Sequence, residues 1–364
     1  FIFGILNTPF KSILVMLLIF AALAGAIMML PTKLVLAKML PGKSTNTFTI
    51  YIDMPKGSSI NQTTAVSECV TKIMKEEKEV NDMQVFLGQG SPLDYAGLVK
   101  GSGMKMSVEF AEIVVNLSDK NTRDEKSFKM VQRLRPTIKD TCQAIVKGTV
   151  IKMIEMPAGP PTLASIVLEV YGKSNRQTIM LAAEVADILQ STDGLVDVDV
   201  MADERHTEYT LNPIEVKATQ SGLSIKQVNE ILYLAFEGMG VAVKNTIDLN
   251  DQISIFVALS EASQTIETNT LALLTNKLSQ LSLMNQKGMM IPLTEIVEIK
   301  EELSVPMIYH KDLKTMVNVV AETDMVSQVY PLLDSREKMI KQFSNRYEVT
   351  KEPGINTYMF DLHL

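Results

Sequence analysis

Residues 48–54 read FTIYIDM, a β-rich run with apolar side chains at every second position. Pro55-Lys56-Gly57 turns the chain, and Ser58-Ser59 offers an N-cap to the segment SINQTTAVSECVTKIMKEEKE (59–79). Ile60, Ala65, Val66, Cys69, Val70 and Ile73 of that segment form one apolar stripe, which predicts a helix. Downstream, strands are expected over 83–87 and 111–117. A second helix follows over 124–145, kinked at Pro136, and then a strand over 149–156.

That order, βαββαβ, is the split ferredoxin-like unit. The pattern restarts with a strand over 164–171, a helix over 176–189 and a strand over 195–201. Its matching half comes much later, as a strand over 313–321, a helix over 327–342 and a strand over 356–362. The intervening stretch of about 110 residues has another character. Helices are expected at 213–220 and 224–237, then a hairpin, VAVKNTIDLNDQISIFVAL (241–259), then MMIPLTEIVEI (289–299). The expected fold class is therefore α+β: two ferredoxin-like units, the second interrupted by an inserted α+β domain. Insertion is physically easy where the ends of the insert lie close together.

Upstream, Ser12 to Leu30 is nineteen residues without a charge. As a helix it is roughly 28 Å long, close to the ~30 Å hydrocarbon core of a bilayer. A cleaved leader has an apolar core of only ~7–15 residues and a small-x-small cleavage site, and Met28-Met29-Leu30-Pro31 is a poor one. A buried soluble helix is the plainer alternative. A membrane span is the reading adopted. The expected layout is a lead-in over 1–11, a span over 12–30, a linker over 31–47 and a first unit over 48–160. The second unit occupies 161–202 and 304–364, around an insert over 203–303. The chain begins at Phe1 rather than Met, and NTYMFDLHL (356–364) ends it without a polar tail, so an excerpt is expected.

Composition narrows the function. Of 364 residues, 46% are hydrophobic and 21% charged, which excludes disordered and low-complexity classes. With a net charge of −7 and no Trp, the chain lacks the cationic field that nucleic acid requires. Two cysteines frame neither a disulfide scaffold nor a four-thiolate zinc site, and three histidines leave little for triads. No nucleophile–base pair emerges, so neither an enzyme nor a cofactor is expected.

A span followed by two such units, the second carrying an insert, resembles one half of a resistance-nodulation-division (RND) efflux transporter. Leu40-Pro41-Gly42 and Met54-Pro55-Lys56-Gly57 are similar to the family's turns after the first helix. Gly288-Met289-Met290-Ile291-Pro292-Leu293 resembles the strand that closes its docking domain. Leu223-Ser224-Ile225 with Val228-Asn229 resembles a helix entry in that domain, and Asn7-Thr8-Pro9 resembles the lead-in of the C-terminal half. The resemblance implies a proton-driven inner-membrane pump whose porter and docking domains lie in the periplasm. It further implies a homotrimer working with a periplasmic adaptor and an outer-membrane channel, on hydrophobic or amphiphilic substrates. The carboxylates and lysine that drive such pumps sit in other helices; Ser12–Leu30 has no ionisable residue.

On the same resemblance, GQGSPLDYAGLVKGSG (88–103) matches a glycine-bounded switch loop. Gly88, Gly90, Gly97, Gly101 and Gly103 would be its hinges, and Leu93, Tyr95, Leu98 and Val99 its apolar contacts. A plain solvent loop is the alternative. Thr49, Tyr51, Phe86, Phe110 and Val114 would face the substrate cleft.

Other constellations carry less. Pro41-Gly42-Lys43-Ser44 lacks the glycine of a phosphate loop, since Ala37 stands there. Asp197, Asp199, Asp203, Glu204 and His206 look like metal ligands, but a solvated outer strand face explains them. The 23 methionines suggest soft-metal export. Most lie in apolar stripes, however, and the heavy-metal branch's cleft methionines fall here approximately on Tyr51, Phe110 and Pro157. A copper or silver exporter therefore stays an alternative, as does a single-pass sensor or scaffold domain. Cys69 and Cys142 are expected as two buried free thiols, although an oxidising compartment permits a bridge.

Overall fold

In the computed structural model, residues 3, 8–37, 44–92, 95–155, 162–172, 174–203, 205–245, 252–259, 271–324, 327, 329–343 and 362–363 are described. The chain is a mixed α/β protein in two compact units, Phe1–Asp203 with Met307–Leu364, and Glu204–Pro306. Its first helix, α1 (Pro9–Met28), has proline in the first turn and no buried residue. Twenty residues of this composition are long and apolar enough to cross a membrane.

The first sheet is built from β1 (Thr47–Asp53), α2 (Ile60–Lys75), β2 (Val80–Gln89), α3 (Tyr95–Lys100), β3 (Met106–Leu117), α4 (Ser127–Cys142) and β4 (Val150–Glu155). Strand order is β2-β3-β1-β4, antiparallel throughout. Ser59 caps α2: its hydroxyl accepts from the Gln62 amide while the Gln62 side chain accepts from the Ser59 amide. Alternation in β1 sends Phe48, Ile50 and Ile52 to one face, where Val66, Val70 and Met74 of α2 and Met130, Leu134 and Ile138 of α4 cover them. α4 includes Pro136, whose nitrogen cannot donate to the Gln132 carbonyl.

Two expectations change here. Cys69 and Cys142 are joined in a disulfide, their Cα atoms 5.7 Å apart, instead of being free thiols. The sheet sets α2 and α4 side by side, which brings a mid-helix position and a helix end within bonding reach. β2 and β3 also run longer than expected. Their ladder extends past the helices, so Val85, Leu87, Met106 and Val108 are exposed and give no burial rhythm to read.

A second sheet begins with β5 (Ile166–Gly172), α5 (Asn175–Gln190) and β6 (Leu195–Met201). The chain then leaves to build the other unit. There β7 (Thr207–Pro213) leads to α6 (Glu215–Gln220) and α7 (Ile225–Phe236), the latter capped by Ser224 with Gln227. Next come the antiparallel pair β8 (Met239–Lys244) and β9 (Ile253–Val257), α8 (Leu271–Ser279), and the small pair β10 (Ser282–Met284) and β11 (Met290–Pro292). One turn of helix, α9 (Leu293–Ile296), precedes β12 (Val297–Leu303), which pairs with β7. Leu223, Val228, Leu232, Leu278, Leu293 and Val297 are among its core. The helix expected from Pro213 starts two residues later, because 207–213 is drawn into the ladder with β12.

Back in the first unit, β13 (His310–Lys311) pairs with the start of β14 (Lys314–Thr323), followed by α10 (Val329–Phe343) and β15 (Leu362–His363). β14 lies between β6 and β5, and β15 flanks β5, so the strand order repeats that of the first sheet. Leu168, Val170, Val317, Val319, Leu181, Val185, Met339 and Phe343 fill the core beneath α5 and α10. Most of the strand expected over 356–362 lies outside the described residues.

Candidate functional site

The face of the first sheet away from its helices carries the other half of each alternating strand. Register places Thr49 opposite Val114, Tyr51 opposite Glu112 and Asp53 opposite Phe110. On the next strand Phe86 lies opposite Glu112, and on the far side Tyr51 lies opposite Lys152. Paired residues share a face. Thr49, Tyr51, Phe86, Phe110 and Val114 thus come together, with Tyr51 and Phe110 ring centroids 6.1 Å apart. Phe110 is covered, with Lys105 Nζ 4.5 Å above its ring, while the other four are half-buried.

Over this face passes the glycine-bounded segment. Its base is closed by the Gly90 N–H donating to the Lys105 carbonyl. The segment is more ordered than the expected loop, since it contains α3 and a 3-10 turn at Ser102–Met104. Gly88 and Gly101 have φ of 71° and 76°, a region that favours glycine. A Cβ on Gly90 would sit 2.0 Å from the Ser102 carbonyl oxygen, so no side chain fits there. Gly97 is buried within α3, Gly103 lies in the 3-10 turn, and Leu98 is exposed. Tyr95 is the first residue of α3, and Leu93 lies outside the described residues.

Charged residues that sequence reading missed hold the segment down. Glu112, 2% exposed in the middle of the face, accepts from the Ser91 N–H at 2.8 Å and the Ser91 hydroxyl at 2.7 Å. Tyr51 Oη lies 3.2 Å from Ser102 Oγ. From the end of α3, Lys100 donates to Glu322 of β14 at 2.9 Å and to the Leu163 carbonyl at 3.1 Å. Glu322 also accepts from the Ser165 amide and hydroxyl. The signal was there: a charge inside an apolar strand, as Glu112 in AEIVV (111–115) or Lys152 in VIKMIE (150–155), needs a partner.

Beside Tyr51, Lys152 bridges Asp53 at 3.1 Å and Asp199 of β6. Burial works against both charges. Lys152 and Lys105 outweigh it at Asp53, holding that carboxyl below the usual range, and Asp53 and Asp199 outweigh it at Lys152, raising the ammonium's pKa.

The solvated outer face expected for Asp197 and Asp199 is not found. Asp197 is buried, 2.7 Å from Lys139 Nζ and 3.4 Å from Arg135 Nε, and accepts from the Met153 amide. The reason is a bulge: β6 has one residue more than β14 between the pairs Val196–Glu322 and Asp199–Val320, and Asp197 takes φ of 52°. That extra residue re-aims the carboxylate towards α4. Arg135 also pairs with Asp324 at 2.8 Å, and Gln132 donates to the Asp324 carbonyl. Close by, burial raises the Glu155 carboxyl to about 7 against the pull of Arg135 and Arg123. Among the described residues no cluster of His, Cys, Asp and Glu is arranged to hold a metal ion.

The fold is similar to that of a heavy metal efflux pump solved in two crystal forms. Form II superposes with a TM-score of 0.61 at 16% identity, covering 94% of this chain and 33% of that one. Form I gives 0.63 at 16% identity, covering 89% and 32%. The chain therefore spans about a third of the length of those structures. No curated protein sequence matches significantly. A family profile does match, over residues 2–350, and it is that of the AcrB/AcrD/AcrF family. The chain thus belongs to the AcrB/AcrD/AcrF family of RND permeases.

Proposed function

We propose that this chain is the membrane helix plus the porter and docking portion of a proton-driven efflux pump for hydrophobic or amphiphilic compounds. In this reading each sheet with its helices is a ferredoxin-like porter subdomain and Glu204–Pro306 is the docking domain. α1 lies in the inner membrane and the rest is mostly periplasmic, working as a homotrimer with an adaptor and an outer-membrane channel. The disulfide supports the periplasmic side, because thiols pair stably in oxidising compartments. Proton coupling falls to other helices, since α1 carries no charge after Lys11.

One observation carries the substrate reading. Tyr51, Phe86, Phe110, Val114 and Thr49 share a half-open sheet face under a segment latched to the second sheet by Lys100 and Glu322. Aromatic and aliphatic side chains suit an apolar ligand, and the charges around them are already paired. Release of the ligand requires that segment and the second sheet to shift together. Gly97→Pro with Gly101→Pro in the intact pump tests it. Proline cannot adopt the φ of 76° at Gly101, so export of a fluorescent amphiphile is expected to stop while the trimer stays folded. Unchanged dye tolerance refutes the switch segment. Loss of silver or copper tolerance with dye export intact assigns the face to metals instead.

A further inference from the structure

Residues 29–37, which leave α1, form a fixed elbow. The Lys33 N–H donates to the Leu30 carbonyl at 3.1 Å and the Val35 N–H to the Met29 carbonyl at 3.2 Å. The Thr32 hydroxyl donates to the Met28 carbonyl at 2.6 Å, and Lys33 turns the chain with φ of 57°. Along the chain this elbow leads to β1 and the first sheet. Its contacts go elsewhere, to the start of α10 in the second sheet. Tyr330 is the hub. Its hydroxyl accepts from the Ala37 N–H at 3.2 Å and donates to the Leu30 carbonyl at 2.9 Å, with the Val35 carbonyl at 3.4 Å as the alternative acceptor. The Ser327 hydroxyl donates to the Ala37 carbonyl at 2.6 Å. Lys33 reaches Asp334 at 3.5 Å and stands 5.4 Å from the Tyr330 ring centre. Beyond Tyr330, α10 buries Leu332, Met339 and Phe343 in the second core.

We infer that Tyr330 is a positioning residue of transport, fastening the exit of the membrane helix to the second sheet. A displacement of α1 then reaches the first sheet through the chain and the second through α10. One phenol serves backbone groups at three positions of the elbow, so removing the hydroxyl loosens the joint while the ring keeps its packing. The inference rests on the efflux reading above.

The test uses the full-length pump in membrane vesicles. Tyr330→Phe is expected to lower turnover of a fluorescent amphiphile about tenfold, with KM and the amount of folded trimer unchanged. Cysteines placed by Lys33→Cys and Asp334→Cys, bridged by a short reducible bis-thiosulfonate, are expected to restore transport in the Tyr330→Phe background. Mild reduction should abolish that rescue. Wild-type turnover in Tyr330→Phe overturns the inference, as does a bridged pump that no longer transports. A wild-type pump that transports while the bridge fails to form removes the coupling alone. A wild-type pump that moves no dye although the bridge forms removes the efflux reading, and the coupling with it.

Discussion

Glu322 and Asp324 stand two residues apart at the end of β14, and the first sheet grips each from a different place. Asp324 belongs to the α4 junction, where Arg135, Lys139 and Gln132 meet Asp197, Asp324 and the backbone of Met153. Glu322 belongs to the α3 junction, where a single lysine arrives at the end of a glycine-bounded segment. Losing Asp197 at the first takes one fully buried carboxylate from two cations, Arg135 and Lys139, at once. Losing Lys100 at the second leaves Glu322 still accepting from Ser165. The difference teaches that one junction is suited to serve as a pivot and the other as a releasable latch.

The sharpest way to break this contrast is Asp197→Ala. It takes the buried carboxylate from Lys139 and from Arg135, which keeps Asp324, and the expected loss is about 3–5 kcal/mol in denaturant unfolding. A loss below 1 kcal/mol would show that the α4 junction is no pivot. Next in size is the disulfide, which fixes the end of the same helix. Cys69→Ser with Cys142→Ser opens a loop closed across 73 positions, and the expected cost is about 2–4 kcal/mol by calorimetry.

Glu155 sharpens the contrast through pH. Its folded pKa, about 7, lies above the unfolded value of 4.5, so the folded state holds the proton more tightly. Stability from this group is full below about pH 4.5 and is lost as pH rises through about 7. Glu155→Gln should flatten that slope and stabilise the protein at pH 8 by on the order of 1 kcal/mol, discounted for partial exposure. A slope identical to wild type in a melting series from pH 5 to 8 would contradict it. The smallest expected loss of stability is that of Lys100→Ala, about 1–3 kcal/mol, because the largely buried Glu322 keeps Ser165. Export should nevertheless fall, and Lys100→Glu with Glu322→Lys should recover part of it. If Lys100→Ala costs as much as Asp197→Ala, the pivot and the latch are one structure.

Where side-chain rhythm and burial coincide, sequence reading found the elements. FTIYIDM alternates because one face meets α2 and α4, and Ser59 announces the helix that follows. It found the shared face of Thr49 and Tyr51 for the same reason. Reading failed where burial comes from a distant partner. DVDV (197–200) looks like an outer face until a bulge, invisible in a string of alternating residues, turns Asp197 inward. Glu112 and Lys152 were passed over because their partners, Ser91 and Asp199, lie 21 and 47 positions away.

The amino-acid sequence by itself determined the apolar helix, the alternating strands and the striped helices, because these depend on periods of two and of about 3.6 residues within a short window. Which strand lies beside which, the joining of Cys69 to Cys142, the latch from Lys100 to Glu322 and the grip of Tyr330 on the elbow were decided only by tertiary structure. The disulfide, the latch and the elbow contact join residues 73, 222 and 300 positions apart, and only the packing of helices on sheets brings such residues within bonding distance.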